Sequence, residues 1–231
     1  MSNIAIWLTP IEAGLRAHAD VQQAVPMKAY MLGQFEFLGI RAGPRREALK
    51  QALQGLPRFT GAVDELLTLT EALWRLPERE FRYAAIDLLA RHYKHLDVNA
   101  LPRILTLVQT GPWWDTVDGL AGVVGDILLL AKASQPDVQQ HMDACLIHPH
   151  LWVRRVAMLH QLGWRDLTDP LRLFHYALTL APEKDFFIRK AIGWALRDHA
   201  RTQPDAVRAF LYRHADELSG LTRREAGKHL G

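Results

Sequence analysis

The chain has 231 residues with 49% of them apolar, enough for a substantial core and too apolar for a disordered segment. Its formal charge is only +3, yet the pI is about 9.1 and there are 11 histidines, a balance that permits a basic face for an anionic partner. Cys145 is the only cysteine, which excludes an intrachain disulfide and a cysteine-built zinc site and fits a reducing cytosol.

In chain order, Met1 to Pro10 lacks a basic leader region, and nowhere is there a run of apolar residues long enough for a membrane span. A soluble intracellular protein is expected. Strand signals are scarce: there is no alternating Val, Ile and Thr run and no Asn-Gly or Asp-Gly turn. Helical spacing recurs instead. Leu66, Leu67, Leu69 and Leu73 form one apolar stripe, Phe81, Ala84, Ala85, Leu88 and Leu89 the next, then Leu101, Ile104, Leu105 and Val108. Prolines punctuate the periodic segments, many at positions suited to the first turn of the following helix, where the missing N–H costs nothing.

The reading is about a dozen helices joined by short loops, with no strict sequence repeat. A helix–loop–helix spacing of roughly 40 residues suits a HEAT-like array. The predicted fold is all-α, an α-solenoid of antiparallel helix pairs with a concave basic groove, forming one domain over residues 1–231. A compact bundle is the competing architecture.

Two aromatic and charged clusters stand out. In Trp113-Trp114-Asp115-Thr116-Val117-Asp118, the spacing puts Trp114 and Asp118 on one helix surface. A structural reading assigns Asp115 to the helix dipole and the tryptophans to the core. It accounts less well for Asp118, which opens the apolar run Leu120-Ala121-Gly122-Val123-Val124. The helix expected from about Asp185 to Ala200 turns Ile188, Ala191, Ile192, Ala195 and Leu196 inward. Lys190, Trp194, Arg197 and Arg201 face elsewhere, and a Trp within such a stripe points to a binding surface. Between the clusters, Arg155 falls inside an apolar arc of Leu151, Trp152, Met158, Leu159 and Leu162, with Arg154 at its edge. Arg155 either pairs with a carboxylate or lies at a groove floor facing a ligand anion; the second is favoured here.

Other features carry little. His141, His148 and His150 lack companions with metal-ligand spacing and read as loop histidines. Gly119, Gly122 and Gly125 follow no strand, so they indicate close helix packing and no dinucleotide site. Neither a serine nucleophile elbow nor a phosphate-binding glycine-lysine loop is present.

Collinear along most of the chain, the sequence resembles the AlkD-type DNA alkylation repair proteins, HEAT-like DNA glycosylases. The resemblance rests on Tyr30-Met31 with Phe35-Glu36-Phe37-Leu38-Gly39-Ile40, which look like the family's opening helix, and on Arg45-Arg46. It continues through Leu76 to Asp87, Trp113 to Asp118, Trp152 with Arg155, Phe186 to Arg197 and Arg223-Arg224-Glu225-Ala226. The opening helix departs at Met31-Leu32-Gly33-Gln34, where relatives carry a basic residue after the Met.

By that resemblance, Trp114, Asp118, Arg155 and Trp194 occupy the catalytic positions, and Tyr30, Arg45, Arg154, Lys190 and Arg197 are expected at the DNA. It implies hydrolysis of the N-glycosidic bond of purines alkylated at N3 or N7 in duplex DNA. Alkylation makes the base cationic and a good leaving group, so little acid catalysis is needed. Asp118 would stabilise an oxocarbenium-like sugar and orient water. Trp114 and Trp194 would each add about 0.5–2 kcal/mol of cation–π attraction. Arg155 would hold a phosphate, and Lys190 and Arg197 would add salt-dependent backbone contacts. No metal and no cofactor is implied. The setting implied is a monomer in the bacterial cytoplasm, acting on the nucleoid during repair. The alternative is a non-catalytic HEAT-like module that binds DNA or protein.

Overall fold

A computed structural model describes residues 4–57 and 63–230. Among these the chain is all-helical, with thirteen α-helices, short 3-10 turns and no strand beyond an isolated bridge of Glu36 to Glu78. It divides into two compact units, Met1–Leu96 and Asp97–Gly231.

The first unit holds α1 (Ala5–Arg16), α2 (Val21–Tyr30), α3 (Ala42–Ala52), α4 (Val63–Trp74) and α5 (Arg79–His92). The stripes read from spacing are the core: Leu66, Leu67, Leu69 and Leu73 of α4 are buried, as are Phe81, Ala84, Ala85, Leu88 and Leu89 of α5. Residues 75–78 alone connect these two helices, which pack on one another as a hairpin. Trp7, Ile11 and Leu15 complete the core from α1, which packs on α3.

The expected opening helix needs correction. Only its Tyr30 end is helical; Phe35 to Ile40 is non-helical, with a bend at Phe35 and an isolated bridge at Glu36. Leu32 and Gly33 take left-handed backbone angles just past α2 and end it. The buried Glu80 carboxylate then accepts the backbone N–H groups of Leu38, Gly39 and Ile40 at 2.8–3.0 Å, so those donors are bound outside any helix. Gly39 sits at φ +90°, where a Cβ would lie 1.9 Å from the Asp20 carbonyl oxygen, so only glycine fits there.

The second unit contains α6 (Leu101–Gln109), α7 (Trp114–Ala131), α8 (Gln140–Leu146), α9 (Leu151–Leu159), α10 (Pro170–Leu180), α11 (Phe186–His199), α12 (Pro204–Arg213) and α13 (Gly220–Ala226). Packed against α9 are α7, α8 and α11, and α13 lies along α11. Two glycines allow the closest approaches. A Cβ on Gly125 would fall 2.0 Å from the His160 carbonyl oxygen, and one on Gly193 would fall 2.5 Å from Cβ of Glu225. The packing expected at the glycine triplet is thus real at Gly125, whereas Gly122 is exposed with open space beside it.

His160, just past α9, is buried and gives this unit a pH dependence. Its Nδ1 lies 2.6 Å from the Ala157 carbonyl and its Nε2 3.0 Å from the Gln139 amide nitrogen. That arrangement suits a neutral ring donating from Nδ1 and accepting at Nε2. Burial pushes its pKa from 6.5 down to about 4. The unfolded chain therefore binds the proton first as pH falls. The His160 contribution is complete above about pH 6.5 and declines towards pH 4, by up to about 3 kcal/mol. Urea unfolding at pH 7 and pH 4.5 should show a clearly smaller loss in His160→Gln than in the wild type; equal losses would contradict the assignment.

Candidate functional site

The site grows from the start of α7. Trp113 is the extended residue before the helix, Trp114 is its first residue and Asp115 lies in the first turn. One turn on, Asp118 leaves the helix on the Trp114 side. Its neighbours from Leu120 to Val124, Gly122 excepted, are buried, so the carboxylate stands at the margin of the core.

Helix α9 brings Arg155 to that margin. Its Nε donates to Asp118 Oδ1 at 2.7 Å and its Nη2 to Oδ2 at 2.8 Å, a bidentate clamp. Nη1 donates to the carbonyl of Phe187, at the start of α11. Asp185 caps that helix, accepting from the N–H groups of Phe187 and Ile188 at 2.8 and 3.1 Å. One guanidinium thus ties three helices together. The Arg155 side chain is 4% exposed and that of Asp118 is 14% exposed, so the carboxylate keeps a way out and the cation does not.

Burial pushes the Asp118 carboxyl above its ordinary range, against the opposing pull of Arg155 and with a small push from Asp115. The ion pair is braced by an aromatic group. Ring centroids of Trp113 and Phe187 lie 5.0 Å apart, Trp152 and Phe187 4.9 Å, and Trp113 and Trp152 5.9 Å. Trp114 and Trp194 are half-buried. On α11 the helical spacing places Phe187, Lys190, Trp194 and Arg197 along one face. Lys190 is exposed with Nζ 5.6 Å from the Phe186 ring centroid, and Arg197 donates to Glu225 at 3.2 Å.

Three of the basic side chains expected at the DNA are engaged within the protein. Arg155 does not present its donors outward to an anion: all three guanidinium nitrogens are engaged, as in the carboxylate-pairing reading set aside above. Arg154 is likewise consumed, holding Glu183 bidentately at 2.7 and 2.8 Å and the carbonyls of His148 and Pro149. In the first unit, Arg45 is 7% exposed, paired with Asp87 at 3.0 Å and stacked on Tyr83. The outward member of that arginine pair is Arg46. Tyr30 is 71% exposed at the end of α2.

The Phe187 carbonyl and Glu183 escaped sequence reasoning, and Glu225 was named only within a motif, without a role. A carbonyl leaves no trace in a sequence, and neither acid's arginine partner could be picked from spacing alone. Among the described residues no group of three or more His, Cys, Asp or Glu side chains is placed to hold a metal ion, and no helix is long and apolar enough to cross a membrane.

The chain is similar to several solved structures. A structure described as a predicted DNA alkylation repair enzyme from Enterococcus faecalis is 30% identical, with a TM-score of 0.82 over 92% of this chain and 97% of that one. Two Streptococcus mutans structures share the fold at 20% identity over 73% of this chain. They are smu.31 from strain UA159 (85% of that chain, TM-score 0.58) and AlkD2 (82%, 0.57). Comparison with curated proteins gave no match. The family model described as DNA alkylation repair enzyme matches residues 11–230, which include the Asp118–Arg155 pair and both flanking tryptophans. The chain belongs to the DNA alkylation repair enzyme family, and its role lies in the repair of alkylated DNA.

Proposed function

We propose that the protein is a monofunctional DNA glycosylase that hydrolyses the N-glycosidic bond of N3- and N7-alkylated purines in duplex DNA. The observation that carries this reading is the Asp118 carboxylate, clamped by Arg155 and 14% exposed. A fixed negative charge in a poorly solvated position is suited to an oxocarbenium-like sugar, because it needs no reorganisation as the charge develops. Trp114, one turn away on the same helix face, and Trp194 on the α11 stripe supply aromatic faces to the cationic base and sugar.

In this reading Arg155 acts as a positioning residue that fixes the carboxylate. Phosphate contact falls to Lys190 and Arg197. No metal or cofactor takes part. The family match runs through both units without a break, which supports one functional domain. The enzyme acts as a monomer on duplex DNA in the bacterial cytoplasm, a setting consistent with its Enterococcus neighbour.

A binding-only module is the second reading, and the same ion pair favours it, since Arg155 satisfies both oxygens of Asp118. The pH dependence of excision separates the two. Burial raises the Asp118 pKa, so single-turnover release of 7-methylguanine should fall as pH drops, with a midpoint above the ordinary carboxylate value of about 3.9. Circular dichroism at each pH checks that the protein remains folded. A rate that stays flat while the fold holds and the carboxyl protonates would remove Asp118 from the chemistry. No release at any pH would leave the binding module.

A further inference from the structure

Helix α13 and the turn after it bring a cluster of charged side chains against α11. Glu225 is 8% exposed and lies directly over Gly193 of α11, where the two helices approach closely. Its two oxygens serve different cations: Oε2 accepts from Arg197 Nη1 at 3.2 Å and Oε1 from Lys228 Nζ at 2.7 Å. Lys190, one turn before Trp194, also acts on the same carboxylate, which the three cations together hold below its ordinary range. Thr222, one turn earlier on α13, donates to the Arg189 carbonyl at 3.0 Å and fixes the register of the two helices.

The acid is nearly buried while two of its partners reach solvent. The Lys228 side chain is 49% exposed and Lys190 is exposed, while Arg197 is 20% exposed. One carboxylate among three cations leaves a local excess of two positive charges. A single surface pair would leave none. That excess lies on and beside the α11 face that carries Trp194.

We propose that Lys190, Arg197 and Lys228, gathered around Glu225, form one binding patch for the phosphate backbone of DNA. Lys228 is a further backbone contact, and Glu225 is a positioning residue that also limits affinity. It orders Arg197 and Lys228 in the free protein, and a phosphate competes with it for both. The patch rests on the DNA-binding reading of the α11 stripe given above.

Fluorescence anisotropy of a labelled, undamaged duplex tests this, titrated with wild type, Lys228→Gln and Glu225→Gln between 50 and 200 mM salt, conditions of about the range over which such contacts show. Lys228→Gln should weaken binding about three- to tenfold at the low-salt end and reduce the salt slope by about one. Glu225→Gln should tighten binding by a similar factor and steepen the slope, since a competing charge is gone. A purely structural Glu225 would instead lower the melting temperature with no gain in affinity. Unchanged affinity and slope for Lys228→Gln, in a wild type that binds, would overturn the patch and leave the DNA reading standing. A wild type that fails to bind duplex even at low salt would overturn both.

Discussion

Asp118→Asn should reduce single-turnover excision of 7-methylguanine about 10²- to 10³-fold, the usual loss when a preorganised electrostatic stabiliser is removed. The substitution keeps the shape of the side chain and can still accept one hydrogen bond from Arg155. It removes the negative charge at a position 14% exposed, where water cannot replace it. Affinity for duplex DNA should hold or rise slightly, because a charge that repels phosphate has gone. Excision of 3-methyladenine should suffer less, since that base departs more readily without help. Asp115→Asn is the control. Its carboxylate lies in the first turn of α7 and makes no part of the Arg155 clamp, so activity should largely survive. Loss of excision in Asp115→Asn with retention in Asp118→Asn would put the chemistry on the other carboxylate.

Arg155→Ala should be among the most destabilising single changes in the second unit, by about 3–5 kcal/mol. The loss has two sources: Asp118 keeps a charge with no partner at the edge of the core, and the Phe187 carbonyl loses its donor. The same change should also abolish excision, through displacement of the carboxylate. The double variant Asp118→Asn with Arg155→Met separates these effects. It should recover much of the stability, since the stranded charge is gone and the thioether fills space, yet remain inactive. Denaturant unfolding reads the first quantity and base release the second. If Arg155→Ala alone melts like the wild type, the clamp contributes little and the three-helix tie is not what fixes Asp118.

The fold class was legible because α-helical burial repeats every three to four residues, and the stripes of α4, α5 and α11 carry that period without interruption. The segment from Phe35 to Ile40 was not. The resemblance put it in the opening helix, and the factor that decides otherwise is a carboxylate forty residues away, Glu80, which captures three backbone donors. The ion-pair clamp had the same kind of partial visibility. Spacing showed that Arg155 sat in an apolar arc and that Asp118 bordered another, and both anomalies are resolved by the two side chains meeting each other. Spacing within one helix cannot say which anomaly pairs with which. For Arg154 and Arg45 the sequence supplied a charge but not its depth. Each spends its donors on a neighbouring acid, Glu183 or Asp87, placed by tertiary packing. Lys190 on α11 and Lys228, in the turn just past α13, stay outward instead.

Glycosylase activity is read most directly from the chemical identity of what the protein releases. Methylated duplex DNA is incubated with an excess of the wild-type protein, free bases are separated by chromatography, and abasic sites are counted in the same DNA. Free 7-methylguanine and 3-methyladenine should appear above the spontaneous background, matched one for one by abasic sites, with no strand cleavage. Tight binding of the duplex with no base released above that background would contradict that activity.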